Sequence, residues 1–261
     1  MADAVAGHLR HKTAWYRDMS GPFVCPDSKI IELGTALTAA NVAELDLALV
    51  LPGGAASLDA AVDSVFADPR LRLRAVELPI AAGDEPSAAV AELASALDRT
   101  PLTGAAAFIE IPVRQLTADA ARTAADHRYL AKLRTGGVTS EAFPDERTLG
   151  MALIVLAEER LAFKCTAGLH HAVRHRAGDT GLEHHGFLNV LLAVGAALAG
   201  ANADAVAVEL ADRDADRVAA KMTQLDPDTV AAIRALFISV GTCSTVEPIT
   251  DLVTLGLISQ D

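Results

Sequence analysis

The feature that most constrains this chain is the regular alternation of short apolar runs with stretches of helical periodicity. Strand-like runs at Pro22 to Pro26, Leu45 to Leu51, Leu71 to Ile80, Ala105 to Val113, Tyr129 to Thr135, Leu161 to Ala167 and Leu236 to Thr242 are separated by helical patterns such as Ser57 to Ala67, Ser87 to Asp98, Thr117 to His127 and Glu146 to Arg160. The first three helical stretches begin with Ser or Thr, which can satisfy the orphan N–H groups of a helix start. Strict βα alternation implies parallel strands joined by right-handed crossovers. Seven or eight such units favour an α/β fold of the parallel (β/α)8 TIM type, with room for one irregular or missing strand, over a flat doubly wound sheet. Ala205 to Leu210 (AVAVEL) reads either as the eighth strand or as part of a helix ending near Lys221. Its alanines and the following ADRDADRVAAK fit a helix at least as well as a strand.

Residues 1–20 read as a polar N-terminal arm, and 21–261 as a single barrel domain. Trp15, Tyr16, Arg17 and Asp18 in the arm would cap the barrel bottom or anchor a partner subunit, so a homo-oligomer is compatible. With 51% apolar residues, the chain can bury one large core. A net charge of −12 and the absence of any Lys/Arg run argue against nucleic acid or an anionic membrane as partner, leaving a small-molecule substrate. Cys25, Cys165 and Cys243 form no CxxC pair, so neither a disulfide framework nor a thiolate zinc site is indicated and a reducing cytoplasm fits. No signal-peptide core is visible, and the longest mostly apolar run, Phe187 to Ala203, is short for a membrane span. A cytoplasmic, soluble protein is expected.

A parallel strand covered on both faces should read as Val, Ile and Leu. Four successive strands break that rule near their C-terminal ends, the rim where barrel active sites are built: Glu77 in AVELP, Glu110 in FIEIP, Lys132 with Arg134, and Lys164. Strand alternation puts Lys132 and Arg134 on one face, and Lys164 with Thr166 on one face. A salt-bridge network that only stabilises the fold is the plain alternative. Buried ion pairs contribute little net stability, however, which favours a functional role in which one lysine is desolvated beside another cation and attacks as a neutral amine.

Lys164-Cys-Thr-Ala-Gly168 and Lys132-Leu-Arg-Thr-Gly136 both read K-x-x-x-G at a strand end, on consecutive βα units. This resembles the class I aldolases of the deoxyribose-phosphate aldolase type, (β/α)8 barrels with two lysines on neighbouring strands. The resemblance covers roughly Tyr129 to Leu169. It implies Lys164 as the Schiff-base lysine and Lys132 as its electrostatic partner; Arg134 and the histidines have no counterpart in that motif. KLRTGG, AGLHH and HGFLN are also similar to segments of uncharacterised bacterial proteins, which implies no activity.

Five of the chain's eight histidines, His170, His171, His175, His184 and His185, follow the lysine strand in a long loop that should cross the rim before a helix begins near His185 or Gly186. They suit general acid/base work near neutral pH. Ligation of a divalent metal, with Glu77 or Glu110 adding oxygens, is the second reading, and loop histidines without a role are the third. Asn189 lies one helical turn past His185 and could share its face. In FISVGTCSTVEP, backbone N–H groups around Ser244 could bind an anion, although a tight strand-to-helix turn explains the same residues; Cys243 reads as a buried thiol first and a nucleophile second.

The expectation is a lysine-dependent aldolase or lyase acting on a small, anionic carbonyl compound. Lys164 and Lys132 would be catalytic, with Glu77, Glu110, His170 and His171 handling protons, and Arg134, Thr166, His185, Asn189 and Ser244 binding substrate. No cofactor is required. The alternatives are a metal-dependent hydrolase or lyase built on the His170 to His185 cluster, and a non-catalytic ligand-binding barrel.

Overall fold

In the computed structural model, which describes residues 1–80, 83, 85–178 and 180–260, the chain forms two compact units, 1–110 and 111–261. The first runs α1 (Ala2–Thr13), β1 (Phe23–Pro26), α2 (Ile30–Ala39), β2 (Leu45–Val50), α3 (Leu58–Phe66), β3 (Leu71–Pro79), α4 (Pro86–Arg99) and β4 (Ala106–Glu110). Its four strands are parallel, in the order β1-β2-β3-β4. The N-terminal arm is largely helix α1, which packs on α2 and buries Val5 completely, while Trp15 stays 43% exposed.

The second unit contains α5 (Ala118–Asp126), β5 (Leu130–Arg134), α6 (Glu146–Glu158), β6 (Phe163–Thr166), β7 (His175–Arg176), β8 (Glu183–His184), α7 (Phe187–Leu198), α8 (Ala203–Ala211), α9 (Ala215–Thr223), α10 (Pro227–Leu236), β9 (Phe237–Gly241) and α11 (Val246–Thr254). Strands β5, β6 and β9 are parallel, with β6 central, and β7 and β8 form a short antiparallel hairpin. The fold is therefore parallel α/β, and all seven strand-like runs of the sequence are strands.

AVAVEL is not the eighth strand. It lies in α8, capped by the Asn202 side chain, which accepts the Ala205 N–H. Pleated alternation would send Val206, Val208 and Leu210 to one face, yet Val206 and Leu210 are buried and Val208 is 63% exposed, which is the spacing of a helix. Between β6 and β9 the chain instead inserts four consecutive helices around α7, whose apolar sides are nearly all covered by α6, α8, α9 and α10. Among the described residues, no helix is long and apolar enough to cross a membrane.

Helix capping differs from expectation at two of three starts. Thr117 does accept the Ala120 N–H. Glu85, rather than Ser87, caps α4 by accepting the Ser87 and Ala88 N–H groups. Ser57 precedes α3 without bonding it, and among the described residues its buried hydroxyl has no partner.

Candidate functional site

The β5-β6-β9 sheet has two unlike faces. On one, Ala131, Leu133, Phe163, Cys165 and Phe237 are essentially inaccessible, and the Phe163 and Phe237 rings stack with centroids 5.0 Å apart. On the other lie the charges. The register pairs Lys132 with Lys164 and Arg134 with Thr166, then Lys164 with Ser239 and Thr166 with Gly241. In-register partners on parallel strands share a face at roughly 5 Å spacing, so the two lysines are direct neighbours. Both are buried, at 4% and 7% exposure, whereas Arg134 at the end of β5 is exposed.

Absent side chains make room for this face. A Cβ on Gly241 would sit 2.9 Å from Thr166 Oγ1 and 3.7 Å from Lys164 Cε, which places the lysine stem beside the next strand. The two K-x-x-x-G glycines have one shared explanation. A Cβ on Gly136 would lie 2.9 Å from Gly168 Cα, and one on Gly168, where φ is +78°, would lie 2.9 Å from the Thr135 carbonyl oxygen. The turns after β5 and β6 thus touch backbone to backbone, a contact that only glycine permits.

Further bonds stitch this rim. Thr135 Oγ1 donates to the Ala167 carbonyl at 2.6 Å, and the Ala167 N–H donates to the Gly241 carbonyl at 3.3 Å. Ala167 itself adopts φ +62°, a conformation that non-glycine residues rarely hold and that persists where its surroundings enforce it.

The histidine segment divides sharply in two. His170 and His171 dock on one face of α11 beside the rim: His170 Nδ1 meets Glu247 Oε2 at 3.0 Å, and His171 Nδ1 meets Asp251 Oδ2 at 3.1 Å. Asp251 also accepts the Ala172 N–H at 2.8 Å. Further along, the His171, His175 and His184 rings follow one another at 4.5 and 5.2 Å, and His184 tilts against Phe143. Burial pushes the His175 imidazole down.

At the other end, His185 is 1% exposed, lies 2.8 Å through Nε2 from the Pro144 carbonyl, and has Arg174 Nη1 at 3.1 Å from Nδ1. Desolvation pushes this imidazole down to about 4, so it is the neutral tautomer, donating to Pro144 and accepting from Arg174. Arg174, itself buried, pairs with Glu146 at 2.7 Å. Asn189 accepts the Arg174 N–H and donates to the Glu209 and Asp212 carbonyls. The two residues do not share an open face: both side chains are committed to holding the loop on α6 and α8. Gly186 between them would place a Cβ 2.4 Å from the Ala172 carbonyl oxygen.

Glu77, 2% exposed, and Glu110 stand in the first unit on adjacent strands but two residues out of step, Glu77 opposite Phe108 and Glu110 opposite Pro79. Ser244 is in the turn between β9 and α11, its N–H donating to Thr242 Oγ1 at 3.3 Å. Cys243 is exposed rather than buried, unlike Cys25 and Cys165, and its sulfur lies 3.7 Å from His170 Nε2. Among the described residues, no group of three or more His, Cys, Asp or Glu side chains is arranged to hold a metal ion. A shallow hollow of about 310 Å³ opens elsewhere, between α6 and α8, where Asp145 caps α6 and Arg147 pairs with Asp204.

No family model matches this chain, and a search of curated proteins finds no match either.

Proposed function

We propose that the chain is a (β/α)-barrel-type enzyme of the aldolase or lyase class that forms a Schiff base between Lys164 and a small carbonyl compound. The observation that supports it is the in-register placement of two buried lysines, Lys132 and Lys164, on adjacent parallel strands. Stability alone gives little reason to put like charges side by side in a buried place, because each must be compensated against a desolvation cost of several kcal/mol. Schiff-base chemistry does give one, since the attacking amine must be neutral and a neighbouring cation is a known device for supplying it.

Lys164 Nζ adds to the substrate carbonyl and water leaves. The protonated imine then accepts the electron pair of the carbon–carbon bond as it breaks, while the hydroxyl of the departing fragment loses its proton and leaves as an aldehyde. The resulting enamine takes a proton at carbon, and water hydrolyses the imine to release the second carbonyl compound and the amine. Arg134, exposed on the same strand face, suits a carboxylate or phosphate on the substrate. Thr166, its register partner, lines the same edge.

Borohydride reduction in the presence of a panel of 2-oxo acids, aldehydes and sugar phosphates, read as the mass of each lysine peptide, tests the proposal. One adduct is expected, on Lys164, absent in Lys164→Ala and slowed by about an order of magnitude in Lys132→Met. Absence of any adduct across the panel, or adducts spread over exposed lysines, overturns it.

A further inference from the structure

Cys243, His170 and Glu247 come from three places in the sequence and meet at the rim of the β5-β6-β9 sheet. Strand β6 ends at Thr166, and the chain turns at Ala167 and Gly168, both at positive φ, to deliver His170. Strand β9 ends at Gly241, and Cys243 follows in a turn braced by the Ser244 N–H bond to Thr242. Glu247 stands in the first turn of α11. The result is a line of three groups: carboxylate to imidazole at 3.0 Å through Nδ1, and imidazole to sulfur at 3.7 Å through Nε2.

With its Nδ1 proton donated to Glu247, His170 presents the Nε2 lone pair to the thiol. That is the order of roles in which a nucleophile is served by a base and the base is oriented by a third group. A purely structural explanation fits less well. The loop is already fastened one helical turn further along, where Asp251 takes both His171 and the Ala172 N–H. Cys243 adds no packing, because it is exposed. The other two thiols show the contrast: Cys25 and Cys165 are buried, and burial pushes both up, Cys25 to about 11, which keeps them protonated and inert. Cys243 also lies three residues before the first residue of α11, at the end of the helix that favours negative charge.

We infer that Cys243, His170 and Glu247 form a thiol acyl-transfer centre, distinct from the lysine pair, that takes carboxylic esters or thioesters. His170 Nε2 accepts the Sγ proton as sulfur adds to the acyl carbonyl, forming the carbon–sulfur bond. The tetrahedral adduct collapses, the bond to the leaving oxygen or sulfur breaks, and the leaving group takes the proton back from Nε2. Water then adds to the thioester with His170 accepting its proton; the carbon–sulfur bond breaks and the thiol is restored. One acyl compound and one water give one carboxylic acid and one alcohol or thiol.

Two probes test this on the full chain. p-Nitrophenyl acetate should acetylate Cys243 in the native protein, seen as an acetyl mass on that peptide and absent in Cys243→Ser. Iodoacetamide should alkylate Cys243 at pH 6 at least tenfold faster in the unmodified protein than in His170→Asn, with the two rates converging near pH 10, where an unassisted thiol is ionised. Glu247→Gln, on an exposed helix face, should fall between them, and it decides the matter if His170→Asn fails to fold. Identical alkylation profiles in the unmodified protein and in whichever of these variants folds, or acetylation that bypasses Cys243, overturns the inference.

Discussion

The two ends of the histidine segment use the same residue type for opposite purposes. His170 and His171 keep 28% and 42% of their side chains open and each leans on a carboxylate of α11. His185 is sealed, neutral and bonded through both nitrogens to the chain itself, with Asn189 beside it bonded three ways. Saturation separates the two. A polar group whose bonding capacity is filled by buried backbone holds structure, whereas an imidazole with one nitrogen oriented and the other facing an exposed thiol keeps capacity for chemistry. At the rim the glycine contact of the β5 and β6 turns is scaffold of the first kind, and the exposed Cys243 beside His170 belongs to the second.

The contrast breaks most visibly at Asn189. Asn189→Leu leaves the Arg174 N–H and the carbonyls of Glu209 and Asp212 without their partner, in a position with no solvent access. Each buried group so orphaned costs on the order of 1–3 kcal/mol, so a loss of about 4 kcal/mol in urea unfolding is expected. A loss below about 1 kcal/mol would mean that water replaces the amide, and the structural role assigned to this end would be wrong.

The second largest effect is a pH dependence. The His185 imidazole is held down at about 4 by burial, against 6.5 for the exposed residue. The unfolded chain therefore binds a proton between these values that the folded chain refuses, and stability falls as pH drops from 6.5 towards 4, by up to about 3 kcal/mol from this residue. Below that window its contribution is level. Carboxylates held low in the folded chain, such as Asp212 beside Arg217 and Asp145 at the Thr148 N–H, add a loss of the same sign at lower pH. Unfolding of the unmodified protein and of His185→Gln, compared at each pH, isolates the histidine. Parallel curves between pH 6.5 and 4 would show that His185 titrates normally.

Strand positions were legible because apolar runs and punctuation are local signals, and the lysines stood out because charge in a parallel strand breaks a local rule. Alternation also assigned Lys132 with Arg134, and Lys164 with Thr166, to shared faces, but only the register makes Lys132 and Lys164 neighbours. Helix α8 shows the limit of local reading, since AVAVEL satisfies a strand pattern until Val208 is found exposed. The β7-β8 hairpin, two residues per strand, is too short to leave a periodicity. Cys243 reads as a buried thiol because its neighbours are small. Its partner is 73 residues away, and no spacing rule links residues that meet only through the ends of two strands. Glu247 and Asp251 lie one helical turn apart, which gives them a common face, yet nothing in the sequence says that consecutive histidines will dock there.

The smallest effect sharpens the contrast from the open end. His171→Ala removes a half-exposed imidazole, but Asp251 keeps the Ala172 N–H and remains 28% exposed to water. A solvent-screened His–carboxylate contact contributes well under about 1 kcal/mol, so urea unfolding should move by about 0.5 kcal/mol or less. The thiol should notice even less, because His171 bonds α11 one turn away from Glu247 and leaves the His170 to Cys243 line untouched. Equal loss of low-pH Cys243 alkylation in His171→Ala and His170→Asn would mean that the two histidines act as one buttress. Retention in the first and loss in the second assigns the base to His170 and leaves its neighbour as the fastening of the loop.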